Sequence, residues 1–172
     1  MLKDFFDFFR GDCVMRRSDR EIGNIEEILD VIERCETCKI ALNDEDGFPY
    51  IVPLNFGFTY LDGVTTFYFH GALEGKKINL IKRDGRAAFE MDCECTLVPR
   101  DSEGECTMAY ESVMGRGIIE FVPDEEKVEA LGVLMRHYHK GEFTINEAVA
   151  KRTCVFKLTV TAMSGKRNPV RR

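Results

Sequence analysis

The segment His70-Gly71-Ala72-Leu73-Glu74-Gly75-Lys76-Lys77 places an imidazole, two glycines and two adjacent ammonium groups on one short stretch of chain. A run of β-branched and aromatic residues, Val64 to His70, leads into it as a strand. Ile78, Leu80 and Ile81 continue beyond it on a short helix, Lys76 to Arg83, stopped near Gly85. A helix N-terminus presents free backbone amides and the positive end of the helix dipole, an arrangement that receives phosphate. Gly71 and Gly75 allow close approach of the main chain, and Lys76 and Lys77 add charge. The same Gly-Lys-Lys sequence also occurs as a plain solvated helix face. His70 is open to three readings: an acid, a group that orients a bound oxidant, or a strand-end hydrogen-bonding residue.

The other reactive residues point to less. Cys35-Glu-Thr-Cys38 and Cys93-Glu-Cys95 could together supply four thiolates to zinc, but the second pair lacks the usual Cys-x-x-Cys spacing. The competing reading makes Cys38, Cys93 and Cys95 small strand residues. A redox Cys-x-x-Cys motif lies at a helix N-terminus, whereas Cys35 follows a helix. Seven cysteines, an odd number without a secretory signal, read as reduced thiols rather than a disulfide scaffold. His137 and His139 are two apart on a helix and face different ways, so they are expected to be solvated and to share no metal.

The elements that must position these residues follow from local pattern. Ser18 and Glu21 have capping-box spacing, and Ile22, Ile25, Ile28, Leu29 and Ile32 form a stripe, predicting a helix to about Arg34. Strands are predicted over Lys39 to Leu42 and Tyr50 to Thr59, with Pro53 marking an edge, a bulge or a missing ladder bond. Asp46-Gly47 and Asp62-Gly63 supply turns. Ala87 to Cys95 is a strand, Thr96 to Glu105 a loop with an acidic, solvated rim, and Thr107 to Val122 a long strand bent at Gly115 or Gly117. A helix starts at Pro123-Asp124 with Val128, Leu131, Leu134 and Met135 on one face, and a short turn spans Ile145 to Ala150. Thr153 to Ala162 alternates as a two-faced strand. About six strands joined mostly by hairpin-length turns favour a mainly β, antiparallel barrel with flanking helices over a doubly wound parallel sheet. No strand–Gly-x-Gly-x-x-Gly–helix unit and no Walker loop is present.

At 172 residues and 44% hydrophobic, the chain is sized for one domain with a real core. No stretch has the apolar length of a membrane helix, and a cytoplasmic location is expected. The net charge of −6 hides an asymmetry: Gly165 to Arg172 carries four basic residues and no acid, leaving −10 on the remainder. Such a body repels a nucleic-acid backbone, yet a pocket can still hold a small anion with a few local cations. Phe5, Phe6, Phe8 and Phe9 are expected to pack on the barrel or a partner subunit rather than a membrane, since no basic face accompanies them.

Gly47-Phe-Pro-Tyr-Ile-Val-Pro-Leu-Asn-Phe56, the His70-Gly-Ala strand end, and Glu74-Gly-Lys-Lys77 together resemble the pyridoxamine 5'-phosphate oxidase-like flavoproteins. The branch of the 5-nitroimidazole resistance (Nim) proteins is the nearest. Met15-Arg-Arg-Ser-Asp-Arg20, Tyr110-Glu-Ser-Val113 with Gly117, and Thr161-Ala-Met-Ser-Gly-Lys166 fit that branch in order and spacing. The resemblance implies a six-stranded split β-barrel over residues 15–167, between an aromatic segment at 1–14 and a basic tail at 168–172. It implies a homodimer with FMN in clefts at the subunit interface and a small-molecule electron acceptor, with neither nucleic acid nor membrane as partner. Val52, Pro53, Leu54 and Asn55 would run beside the isoalloxazine ring, His70 and Gly71 would lie near it, Lys76 and Lys77 would hold the phosphate, and Ser112 would be a further contact. Tyr50 and Asn55 stand where the oxidases themselves place basic residues, which argues against vitamin-B6 oxidation. The activity implied is a flavin-dependent reductase; the alternative is a flavin- or haem-binding module without turnover.

Overall fold

Hydrophobic alternation builds nearly half of the described chain into strands, and the computed structural model describes residues 16–102 and 104–168. The aromatic segment, Cys13 and the last four residues of the basic tail lie outside the described residues. The elements are β1 (Glu21–Ile22), α1 (Ile25–Arg34), β2 (Cys38–Asn43), β3 (Pro49–Leu54), β4 (Phe56–Leu61), β5 (Val64–Gly71), α2 (Lys76–Arg83), β6 (Arg86–Arg100), β7 (Glu105–Phe121), α3 (Lys127–Tyr138), α4 (Glu147–Lys151) and β8 (Cys154–Asn168). Neighbouring strands run β3-β2-β6-β7-β8-β5-β4, with β1 paired to β8 off this path. The fold class is the expected one, mainly antiparallel β with flanking helices. Among the described residues there are eight strands rather than six, and the path does not close.

The apolar run from Tyr50 to Thr59 is two strands, not one. Leu54 pairs with Cys38 of β2, whereas Phe56 pairs with Phe69 of β5. The chain therefore changes partners at Asn55. Tyr138 pins the change: its hydroxyl accepts from the Phe56 amide at 3.0 Å and donates to the Glu36 carbonyl at 2.7 Å. The Asn55 amide approaches the same carbonyl at 3.4 Å. As a result β3 is an edge of the described sheet, where Pro53 costs no ladder bond. The β4–β5 hairpin closes through Asp62 and Gly63, both at positive φ (51° and 81°), as a two-residue turn of the favoured hand requires.

Two compact units divide the described chain. One takes the residues up to Cys35, Glu90–Gly115 and those from Ala162 on; the other takes Glu36–Phe89 and Arg116–Thr161. In the first, α1 begins at Ile25, not Ser18, because Asn24 is the cap and accepts from the Glu26 amide at 2.9 Å. Ser18–Arg20 is one 3-10 turn, and Ile22 pairs with Gly165 instead of joining the helical stripe. The expected loop after Cys95 is mostly strand: β6 and β7 continue to Arg100 and from Glu105, leaving a short turn. Nearly all side chains from Thr96 to Arg100 are exposed, so that stretch shows no alternation to read.

In the second unit Phe56, Phe67, Phe69 and Phe156 are fully buried and stack in sequence, with ring centroids 5.6, 6.4 and 5.5 Å apart. His137 is not simply solvated, as expected of it, but packs 4.5 Å from Phe56. A 3-10 turn at Asp124–Glu126 shifts the phase of α3, so Lys127, Ala130, Val133 and Leu134 face inward and Val128 is exposed. The buried Lys127 ammonium meets Asp124 at 2.8 Å. No helix among the described residues is long and apolar enough to cross a membrane.

Gly57 sits beneath α3. A Cβ there would lie 2.5 Å from Leu134 Cα and Val133 O, a backbone clash. Gly57→Ala should lower the unfolding free energy by about 1–3 kcal/mol. Gly132→Ala, whose new Cβ would meet only the Arg136 tip at 3.6 Å, should raise it by about 0.5–1 kcal/mol. Urea denaturation of both variants checks the opposite signs.

Candidate functional site

Within the second unit β3 shows one face to α2 and the other to solvent. Tyr50, Val52 and Leu54 are half-buried, whereas Ile51, Pro53 and Asn55 are exposed. Val52 and Leu54 border an apolar gap with Ile40, Leu42, Lys77 and Phe156, too small to admit a water. Four of the residues expected at the site thus converge: Val52, Leu54 and Lys77 directly, and Gly71 through Lys77. An alanine Cβ at Gly71 would sit 2.9 Å from the Lys77 Nζ. Glycine is what lets that ammonium lie against the end of β5.

The two lysines, adjacent in sequence, do different things. Lys76 Nζ meets the Asp44 carboxylate at 2.5 Å and lies 5.0 Å from the Tyr50 ring centroid. The contact holds the Asp44 carboxyl below its ordinary range and the Lys76 ammonium above its own. Lys77 instead turns inward, 5.5 Å from the Phe156 ring centroid. Among the described residues no carboxylate pairs with it, and burial lowers its pKa. Residues one apart on a helix point about 100° apart, so one lysine is neutralised while its neighbour keeps a net charge.

Gly75 caps α2 with φ 131° and supplies no side-chain cap, leaving the first amides of the helix without an internal acceptor. The end of β3 contributes in another way. An edge strand has outward-pointing amides and carbonyls with no strand partner, and Pro53 contributes only a carbonyl. His70 is exposed at the end of β5, opposite Val155. Its pKa is lowered, first by the protein packed around its base and then by the Lys77 charge, so the imidazole is neutral at neutral pH. Asn55 is exposed and tied to Glu36. Ser112 lies in the other unit, buried on β7.

Asp44 and Phe156 escaped the sequence reading. Asp44 falls in a turn-forming Asn-Asp-Glu-Asp-Gly run, and Phe156 reads as one more inward residue of an alternating strand. No group of three or more potential metal ligands forms among the described residues.

Residues 24–167 match the family model described as pyridoxamine 5'-phosphate oxidase. A solved structure of a protein assigned to 5-nitroimidazole antibiotic resistance in Bacteroides thetaiotaomicron is 33% identical, with 86% of each chain covered and a TM-score of 0.75. The chain belongs to the pyridoxamine 5'-phosphate oxidase-like family. Within that family, its likeness is to the nitroimidazole-resistance branch. The FAD and haem binding protein of Mycobacterium smegmatis shares the fold at 20% identity, covering 87% of this chain and 73% of that one, with a TM-score of 0.72. So does the flavocytochrome Anf3 of Azotobacter vinelandii at 17% identity, with 90% and 72% covered and a TM-score of 0.71. No curated protein matches the chain.

A half-buried ammonium without a carboxylate partner should weigh against folding. Its folded pKa lies below the unfolded one, so the charged form is disfavoured in the native state below the folded pKa. As pH rises from the folded to the unfolded value, that penalty fades. Lys77→Met, which keeps the packing on Phe156, should therefore be more stable than the native protein at neutral pH. The difference should shrink in alkaline solution, a trend that urea midpoints across pH will reveal.

Proposed function

We propose that the protein is an FMN-binding homodimer acting as a flavin-dependent reductase on a small-molecule electron acceptor, with a cytoplasmic location. The observation that carries this reading is Lys77: a cation held without a carboxylate partner beside an uncapped helix N-terminus and an edge strand. FMN, when bound, supplies the hydride chemistry. Lys77 and the first amides of α2 would hold its phosphate, with charge-assisted hydrogen bonds as the main attraction. Backbone groups around Val52 to Asn55 would face the polar edge of the ring, the Pro53 carbonyl among them. The neutral His70 imidazole is suited to pass a proton or orient the acceptor. Ser112 remains a candidate contact on the family resemblance.

The gap beside Lys77 is too small for a flavin ring, so the ring would rest on the outer surface of the sheet edge. That surface needs a cover. Phe48 and Ile51 are 74% and 62% exposed, apolar area that supports closure by a second copy. A nitroaromatic acceptor is suggested by the Bacteroides relative. Oxidation of a pyridoxamine phosphate is disfavoured, because Tyr50 and Asn55 offer no cation to a second phosphate.

Flavin fluorescence titrations test the phosphate site. Lys77→Ala should weaken FMN binding by about 1.5–3 kcal/mol and leave riboflavin almost unaffected. Lys76→Ala should cost less, since Asp44 already occupies that ammonium, and Lys82→Ala should change neither ligand. Equal losses for FMN and riboflavin would assign the lysines to the fold. Unchanged FMN affinity in Lys77→Ala would place the phosphate elsewhere, with Lys166 the next candidate because Arg167 is bound to Glu27 and Glu111. Light scattering should report twice the monomer mass at low micromolar concentration.

A further inference from the structure

The turn between β2 and β3 carries a carboxylate, Asp44, to which the flavin reading gives no role of its own. It is held from two directions. Asp44 Oδ1 accepts from the Glu45 amide at 2.7 Å, and the Asp44 amide donates to the Phe48 carbonyl at 3.3 Å. The turn is also clamped to the C-terminal end of α2. Glu45 meets Arg83 at 3.0 Å, the Asn43 side chain donates to Asp84 at 2.8 Å, and Arg83 donates to the Asn43 carbonyl. Asp44 itself reaches the other end of that helix, 2.5 Å from Lys76 Nζ. Its side chain is 11% exposed, whereas that of Lys76 is 54% exposed. The carboxylate is therefore the stationary partner. The lysine, on a flexible four-carbon stem, is the one that can turn away.

We propose that Asp44 is a specificity-determining residue: by holding Lys76 it competes with the flavin phosphate for that lysine and sets how strongly the site prefers FMN to riboflavin. The inference rests on the phosphate reading of Lys77 and the first amides of α2. Lys76 is the first residue of that helix and belongs to the same turn as its unpaired amides. A phosphate bound there gains Lys76 only at the expense of the ion pair with Asp44. Its apparent affinity is reduced by the fraction of molecules in which the ammonium is free, a cost that an uncharged residue at position 44 removes. Riboflavin carries no phosphate and is indifferent to that fraction. Asp44 thus supplies the opposing element and Lys77 the attractive one, and selectivity is the difference between them.

Fluorescence titrations of the full-length protein with FMN and with riboflavin test this. Asp44→Asn, which keeps an oxygen for the Glu45 amide, should tighten FMN about fivefold, the upper end of what an exposed ion pair is worth, and leave riboflavin unchanged. Asp44→Ser serves the same purpose should the asparagine variant not fold. Combining Lys76→Ala with Asp44→Asn should abolish the gain. Glu45→Gln removes a negative charge from the same turn, but one paired at the far end of α2, and should change neither ligand.

No gain for FMN, an equal gain for riboflavin, an equal gain in Glu45→Gln, or a gain that survives the loss of Lys76 would overturn the role of Asp44. Lys77→Ala separates this inference from the reading beneath it. If Lys77→Ala weakens FMN while Asp44→Asn is inert, only the role of Asp44 falls. If FMN does not bind, or is indifferent to Lys77, the phosphate reading falls and the role of Asp44 with it.

Discussion

The change of strand partner at Asn55 is the constraint from which the candidate site follows. Because Leu54 pairs with β2 and Phe56 with β5, β3 cannot continue into β4 and is left at an edge with unpaired outward backbone groups. The same break sets the alternation of β3, turning Tyr50, Val52 and Leu54 toward α2 and Ile51 toward solvent. The Tyr138 hydroxyl, bridging the Phe56 amide and the Glu36 carbonyl, satisfies polar groups that a change of partner would otherwise leave unpaired.

Electrostatics then decides what such an edge can hold. The chain as a whole is acidic, so an anion must be attracted locally. Lys76 contributes little net charge because Asp44 neutralises it. Lys77 remains, half-buried against Phe156, with space for its ammonium made by a glycine at position 71. A cation kept where burial disfavours it is a common mark of a binding site, since the cost to folding is recovered when an anion arrives.

Much of this was legible in the sequence where local chemistry governs. The span of α2 follows from Gly75, the Ile78–Leu80–Ile81 pattern and Gly85; the Asp62-Gly63 turn follows from its conformational demand. The errors have two causes: a tertiary partner overrode a valid local signal, or the local pattern carried no signal to read. Ser18 and Glu21 have capping-box spacing, but Ile22 is drawn to Gly165 of β8 and Asn24 becomes the cap. The apolar run from Tyr50 to Thr59 carries no mark of a partner change except Asn55. The hairpin beyond Cys95 is solvated, so no alternation betrays its strands. The inequality of Lys76 and Lys77 depends on Asp44, more than thirty residues earlier, and spacing alone does not reveal it.

The most direct test of the account is the identity of the ligand the protein retains. Purified protein would be incubated with equal amounts of FMN, FAD and haem, passed through gel filtration, denatured, and the released small molecule weighed by mass spectrometry. The account predicts FMN, one per chain. Retention of haem, or of no ligand at all, would contradict it.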